Sequence, residues 1–455
     1  MKDTLVHVER EVLKKIKPQR AEREHLHRVT HQVISAAQSA IEQRGLQATV
    51  SLIGSAARDT WISGDRDIDV FIGFSTATSR EDLERFGLEI GKDIAAEGYT
   101  IQFAEHPYVK ALLDGFSIDV VPHYLITSTE KILSAVDRTP FHQQYVTEHL
   151  GGRQDDVRLL KQFLKGAGIY GAELRIKGFS GYLCELLVIK YGSFWDVLKN
   201  AQNWKIGTHI NLSGQKAKAF ESPLVIIDPV DANRNVAAAV ALDSLSVFID
   251  SARSFIENPC TRCFFPPPTV PLDKDAFNVI LKKRKTAMFG VSFTLPNFVE
   301  DIAYPQLERA HKGMRNTLER QGFSILRGDT WYDRGDALLL FEMLTWQLSE
   351  IEKRTGPSVD SKRHSKNFKQ THTGNASLIT GPYIEEGRYI VEVQRKYKSV
   401  PQLIGAEFKK MRSSKAIRQA MEREFQVLKD EELIKNEKLG LFLARYFSRT
   451  LNNCD

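Results

Sequence analysis

Cysteine is scarce in this 455-residue chain, which has four: Cys184, Cys260, Cys263 and Cys454. So few thiols exclude a disulfide-built scaffold and fit a reducing, cytoplasmic setting. Long apolar runs are missing as well. No stretch of about 18 uninterrupted apolar residues occurs, so no membrane span is expected. The first residues, MKDTLVHVEREVLKKIKPQRAERE, carry many charges and no apolar h-region, so they are not expected to act as a secretory signal. The sequence shows neither an internal repeat nor a low-complexity run. What remains is 42% hydrophobic and 26% charged, ordinary for a globular protein that buries a core. At roughly 100–200 residues per domain, the length predicts two to four domains.

Charge is unevenly spread. The net charge is +6, yet residues 351–420 hold 15 Lys/Arg against 6 Asp/Glu, leaving the remainder at −3. A basic region beside a slightly acidic rest points to a polyanionic partner, although a solvated basic face would look the same.

Residues 1–46 have helical apolar spacing. A β-branched strand follows in QATVSLI and runs through Gly54-Ser55 into a helix. DIDVFIGF (67–74) reads as a buried strand, residues 79–98 as a helix capped by Ser79, and residues 99–124 as two or three strands with a turn at Asp114-Gly115. From about 150 to 258 the pattern is mainly helical. The proline-rich NPCTRCFFPPPTVP (258–271) cannot continue a helix and marks a boundary. Phe264 and Phe265 within it read as linker packing. Cys260-x-x-Cys263 lacks a second Cys or His pair at zinc-finger spacing, so it is a poor zinc candidate. Beyond the boundary, 286–293, 338–344 and 389–397 read as strands, 304–322 as a helix, and further helices close the chain. The polar segment 355–381 has no clear period and is expected to be a flexible basic loop.

The chemistry concentrates between Gly54 and Asp119. Strand side chains alternate faces, so Asp67 and Asp69 project to one side. Two carboxylates there repel each other and call for a positive charge between them. Asp119 lies in a second apolar strand, FSIDVV, and three carboxylates converge if the strands are neighbours. Oxygen-only ligands suit Mg²⁺, and a pair of metals can activate a hydroxyl and stabilise a leaving phosphate oxygen. Gly54-Ser55 at a helix start offers backbone N–H groups and a hydroxyl to a phosphate, and Arg58 adds a charge-assisted contact. Taken singly, each feature is as consistent with a loop, a common turn or a buried hydrogen-bonding Asp. Their order and spacing are similar to the nucleotidyltransferase superfamily that includes DNA polymerase beta and poly(A) polymerases.

Longer runs narrow the resemblance. GSAARDTWISGDRDIDVFI, FAEHPYVKALLDGFSIDVVPHY, SAVDRTPFHQQYV, VRLLKQFLKGAGIYGAELRIKGFSGYLCELL, GSFWDVLKNAQNW, IDPVDANRNVAAAV and YPQLERA, spread from about residue 50 to about 310, resemble the archaeal-type (class I) CCA-adding tRNA nucleotidyltransferases. The resemblance implies an α+β multidomain fold: a polymerase-beta-like catalytic head with a mixed sheet (1–150), a helical neck that binds nucleotide (151–258), and an α+β RNA-binding body with a helical tail (259–455). It implies Asp67, Asp69 and Asp119 as metal-binding and catalytic carboxylates, with two Mg²⁺ ions. Asp67 stands where some members have Glu, a longer reach with the same ligand type. Ser55, Arg58, Lys161 and Tyr170 match triphosphate contacts, His142 a nucleotide contact, and Arg234 the residue that reads the incoming base. Without the family match, Lys161 reads equally as a solvated helix face, Tyr170 as helix-end packing, Arg234 as a surface ion pair and His142 as a cap. His106 lies near the site or simply packs in the core.

The implied reaction adds CTP- and ATP-derived nucleotides to the 3′ end of tRNA without a template, releasing pyrophosphate. The implied partners are the acceptor half of tRNA and a second copy of the chain, as a homodimer. Lys362, Arg363, Lys366, Arg395, Lys396, Lys398, Lys409, Lys410 and Arg412 are the expected phosphate-facing cations. Three alternatives share parts of the pattern: a poly(A) or poly(U) polymerase, a non-catalytic RNA-binding protein with a degenerate transferase head, and a small-molecule nucleotidyltransferase.

Overall fold

In DIDVFIGFS, Ile68, Val70 and Ile72 are fully buried while Asp67 is exposed, so one face of this strand enters a core and the other carries acids. A computed structural model of the chain places that strand in a five-stranded sheet. It describes residues 2–95, 98–103, 105–129, 131–411 and 413–448. Arg412 and Cys454 therefore lie outside the described residues. The chain divides into two compact units, Met1–Pro267 and Pro268–Arg449.

The first unit opens with helices α1 (Lys2–Ile16) and α2 (Arg20–Gln43), then strand β1 (Ala48–Ile53), the short helix α3 (Gly54–Arg58), β2 (Asp67–Ser75), α4 (Arg80–Ala95), β3 (Tyr99–Phe103), β4 (Pro107–Leu113) and β5 (Phe116–Leu125). Ser79 caps α4, accepting from Asp82 N at 3.1 Å. The strand order is β1-β2-β5-β4-β3, with β2 and β5 parallel and the other pairs antiparallel. Val29, Val33 and Ala37 of α2 and Leu83, Ile90 and Ile94 of α4 cover one sheet face, against Ile68, Val70, Ile118 and Val120. Alternation then leaves the opposite face to Asp67, Asp69 and Asp119.

The unit continues through α5 (Thr139–His149), α6 (Gln154–Gly166), α7 (Gly181–Tyr191), α8 (Phe194–Ala201), β6 (Thr208–Asn211), β7 (Leu224–Ile227) and α9 (Leu242–Glu257). The two short parallel strands β6 and β7 are absent from the helical expectation, because LVII is too brief for its period to be read. Phe264 is more than linker packing. It is fully buried in a cluster with Phe163, Phe194 and Phe255, at centroid distances of 5.5–5.6 Å. Cys260 and Cys263 lie beside it with sulfurs 3.8 Å apart.

The second unit comprises α10 (Lys274–Arg284), β8 (Ala287–Thr294), α11 (Glu300–Arg320), β9 (Ser324–Asp333), β10 (Asp336–Thr345), β11 (Ile351–Ser358), α12 (Lys362–His372), β12 (Leu378–Glu385), β13 (Arg388–Gln394), α13 (Val400–Glu407), α14 (Lys415–Arg423), β14 (Phe425–Lys429) and α15 (Glu437–Phe447). Its main sheet runs β14-β8-β10-β9 and a smaller one β11-β13-β12. Segment 355–381 is thus not a loop. It holds the end of β11, all of α12 and the start of β12. The helix escapes a periodicity reading because few of its residues are apolar. Phe368 holds it down instead, lying over Gly356, where a Cβ would meet the ring at 2.6 Å.

Candidate active site

The sheet register sets the carboxylates. Asp69 on β2 is the direct partner of Asp119 on β5, and Asp67 lies two residues earlier on the same face. This is the predicted convergence of the two acidic strands. On β4, Lys110 pairs in register with Asp119, and its Nζ stands 3.4 Å from Asp119 Oδ1. Burial, then the charges of Asp119 and Asp67, push the Asp69 carboxyl up to about 6. Burial also raises Asp119, against the opposing pull of Lys110. Among the described residues no three His, Cys, Asp or Glu side chains stand as a ready-made metal cage.

Gly54 explains how β1 delivers α3 to this face. Its φ is +81°, and a Cβ there would lie 2.1 Å from Asp69 Oδ2. Only glycine permits both that backbone and that approach. Ser55 follows it at the start of α3.

Arg58 closes the same short helix, and its charge acts on Asp69. The side chain is largely buried: Nε donates to Glu185 Oε1 at 2.9 Å and Nη1 to Gln143 Oε1 at 2.6 Å. Thr60 Oγ1 donates to the same Glu185 oxygen at 2.6 Å. Lys161 is not a solvated face of α6. It is fully buried, donates to Thr60 O at 2.8 Å, and is pulled down in pKa by burial while Glu185 opposes. Tyr170 joins it, since a Cβ at Gly181 would sit 3.2 Å from the Tyr170 hydroxyl and 3.6 Å from Lys161 Nζ.

A third group surrounds Asp228, just past β7. His142 Nε2 donates to Asp228 Oδ2 at 2.8 Å and stacks on Tyr182 with centroids 4.3 Å apart. Arg234 Nη1 donates to the same oxygen at 2.7 Å. Arg234 also lines a cavity of about 460 Å³ with Arg138, Ser180, Phe220 and Asn233.

The structure therefore gathers the nine predicted residues into three clusters: Asp67, Asp69, Asp119 and Ser55; Arg58, Lys161 and Tyr170; His142 and Arg234. His106 stands apart from them, buried against Tyr124 and 3.1 Å from Glu84. Sequence reasoning missed Glu185 and Asp228. Glu185 interrupts the apolar run YLCELLVI and Asp228 ends the apolar run LVII, and a charge set against apolar neighbours was the available signal. Among the basic residues, Lys362, Arg363 and Lys366 are exposed together on α12. Arg395 donates to Ser349 and Ile351 carbonyls, while Lys398 and Lys410 pair with Glu350 and Glu407.

A mixed sheet carrying in-register carboxylates beside a Gly-Ser turn defines a nucleotidyltransferase. Residues 34–142 match the family model for the nucleotidyltransferase domain, and 155–265 the model for the tRNA nucleotidyltransferase second domain. Residues 284–430 match the model for the CCA-adding enzyme C-terminal domain. The CCA-adding enzyme of Methanosarcina acetivorans is 40% identical over 440 residues, 96% of this chain and 97% of that one. Those of Archaeoglobus fulgidus (41% over 345 residues, 76% and 77%) and Halobacterium salinarum (38% over 397 residues, 87% of each) are also similar. The chain belongs to the CCA-adding enzyme family. No helix among its described residues is long and apolar enough to cross a membrane.

Proposed function

We infer that the chain adds CCA to the 3′ end of tRNA, using CTP and ATP and releasing pyrophosphate. The observation that carries this reading is the register of Asp69 with Asp119, with Asp67 on the same face and Gly54 against Asp69. Three acids on one face, one of them raised by burial and then by the charges of the other two, fit an oxygen-ligated cation, and Mg²⁺ matches this donor set. Asp67, Asp69 and Asp119 would hold Mg²⁺, in one or two ions. When bound, the metal supplies positive charge that acidifies the RNA 3′ hydroxyl and offsets the triphosphate.

The chain's own residues do the rest. Ser55 and the start of α3 face the phosphates. Arg58 and Lys161 supply positive charge where the pyrophosphate leaves, and the buried Glu185 beside them favours the charged form of Lys161. Tyr170 adds a further triphosphate contact beside Lys161, and His142 supports the nucleotide from α5. Arg234 has donors only. Cytosine N3 and adenine N1 accept, whereas uracil N3 and guanine N1 carry hydrogens, so a guanidinium aimed at that edge selects CTP and ATP. The exposed cations of α12 hold tRNA by its phosphates. The chain acts as a homodimer, a state that light scattering at working concentration checks.

The test is extension of tRNA transcripts lacking CCA, CA or A with CTP, ATP or both. The reading expects two C residues and one A, then a stop. Long A or U tails would keep the nucleotidyl transfer and overturn the specificity. An Arg234→Ala enzyme with full CTP/ATP selectivity would remove the assignment of Arg234.

A further inference from the structure

The segment after β7 closes on itself. Asp231 N donates to Asp228 O at 3.3 Å, Arg234 N to Asp231 O at 3.0 Å, and Asp228 N to Arg234 O at 3.1 Å. Asp228 sits at the neck of this loop with no exposed surface. Burial alone would raise its pKa, but the hydrogen bonds and charges of His142 and Arg234 outweigh that and hold it below the usual carboxylate range. Both carboxylate oxygens are engaged. Oδ2 accepts from His142 Nε2 and Arg234 Nη1, and Oδ1 accepts from Val230 N at 3.1 Å and from the Tyr182 hydroxyl at 3.3 Å. One anion thereby ties α5, α7 and the loop together.

This arrangement matters because a guanidinium does not discriminate merely by being present. Uracil and guanine also carry carbonyl oxygens, and a freely swinging Arg234 would find them as readily as cytosine N3 or adenine N1. Selection needs the fork held in one direction. Arg234 is about one-third exposed. One of its N–H groups is fixed on Asp228, and the side chain borders the 460 Å³ cavity. His142 and Tyr182 in turn stop the Asp228 carboxylate from rotating.

We propose that Asp228 is a positioning residue that sets nucleobase selectivity by fixing the orientation of Arg234. The proposal rests on the reading of Arg234 as the group that faces the base. Asp228→Asn keeps the shape but loses the charge, and its amide N–H₂ must face either Val230 N–H or the His142 and Arg234 donors, so the set of bonds that fixes the carboxylate cannot be kept whole. The experiment measures kcat/KM for CTP and UTP on tRNA ending before the first C, and for ATP and GTP on tRNA ending in CC, in wild type, Asp228→Asn, Arg234→Ala and the double variant. The expected result is a fall of about tenfold or more in both selectivity ratios for Asp228→Asn, the scale of a lost charge-assisted hydrogen bond. The change lies in KM more than in kcat for CTP, and Asp228→Asn adds nothing in the Arg234→Ala background. If Arg234→Ala loses selectivity while Asp228→Asn keeps it, Asp228 is only structural and the proposal fails. If Arg234→Ala keeps selectivity, the reading beneath it fails instead. Should Asp228→Asn lose the wild-type circular dichroism and melting profile, Asp228→Glu, which keeps the charge but displaces the anchor by a methylene, is held to the same ratios.

Discussion

Replacing Glu185 by Ala removes the one carboxylate that touches Arg58, Thr60 and the charge of Lys161. Its side chain is 1% exposed and that of Arg58 9%. Lys161 has no surface to retreat to. The variant would leave Arg58 without its carboxylate hydrogen-bond partner, Lys161 without the larger of the anionic charges that favour its charged form, and the Thr60 hydroxyl without its acceptor. Breaking a buried pair by removing one partner costs about 3–5 kcal/mol. At about 2–4 °C per kcal/mol for a unit of this size, the first unit should melt roughly 6–20 °C lower. Glu185→Gln keeps an acceptor and the volume while losing the charge, so its loss should be smaller. Lys161→Met in the Glu185→Ala background should recover part of the loss, because it removes one stranded cation. Urea denaturation of the four proteins at pH 7.5 gives the numbers. A Glu185→Ala variant within about 1 kcal/mol of wild type would refute the reasoning, since it would mean these cations are solvated or neutral.

Three further outcomes follow from particular contacts. Gly54→Ala should lower stability by about 1 kcal/mol through its positive φ. It should lower kcat by on the order of 100-fold by displacing Asp69, and a kcat near wild type would contradict the close approach. On α1, burial and then Asp156 push the half-buried Glu9 carboxyl up to about 7. The folded chain therefore keeps a proton that the unfolded chain releases above about 4.5, and stability present below that pH is lost as pH rises toward 7. Partial exposure screens the effect to on the order of 1 kcal/mol, so Glu9→Gln should match wild type at pH 4 and exceed it by that amount at pH 8 in urea midpoints. Replacing Lys362, Arg363 and Lys366 with Gln should weaken tRNA binding and reduce the slope of log K against log salt by about 2 in filter binding. An unchanged slope would place the RNA elsewhere.

The acidic sheet face was legible because two strands with clean alternation and buried partners leave one arrangement for Asp67, Asp69 and Asp119. Tertiary contacts decided the rest. Segment 355–381 looked like a loop because α12 is anchored by Phe368 and a buried Ser365 rather than by an apolar stripe. Arg58, Lys161 and Arg234 were identifiable as cations, but nothing local to them shows that Glu185 and Asp228, 127 and 6 residues away, hold two of them in place. Lone buried charges find partners by fold, not by spacing.

The central claim is that the carboxylate face performs nucleotidyl transfer to tRNA. The most direct measurement is single-turnover incorporation of CTP, then ATP, into tRNA lacking CCA by wild type and Asp69→Ala in Mg²⁺, with tRNA affinity measured on both. The account predicts ordered C, C, A addition by wild type and none detectable by Asp69→Ala, with tRNA affinity unchanged. Incorporation by Asp69→Ala at the wild-type rate would contradict it.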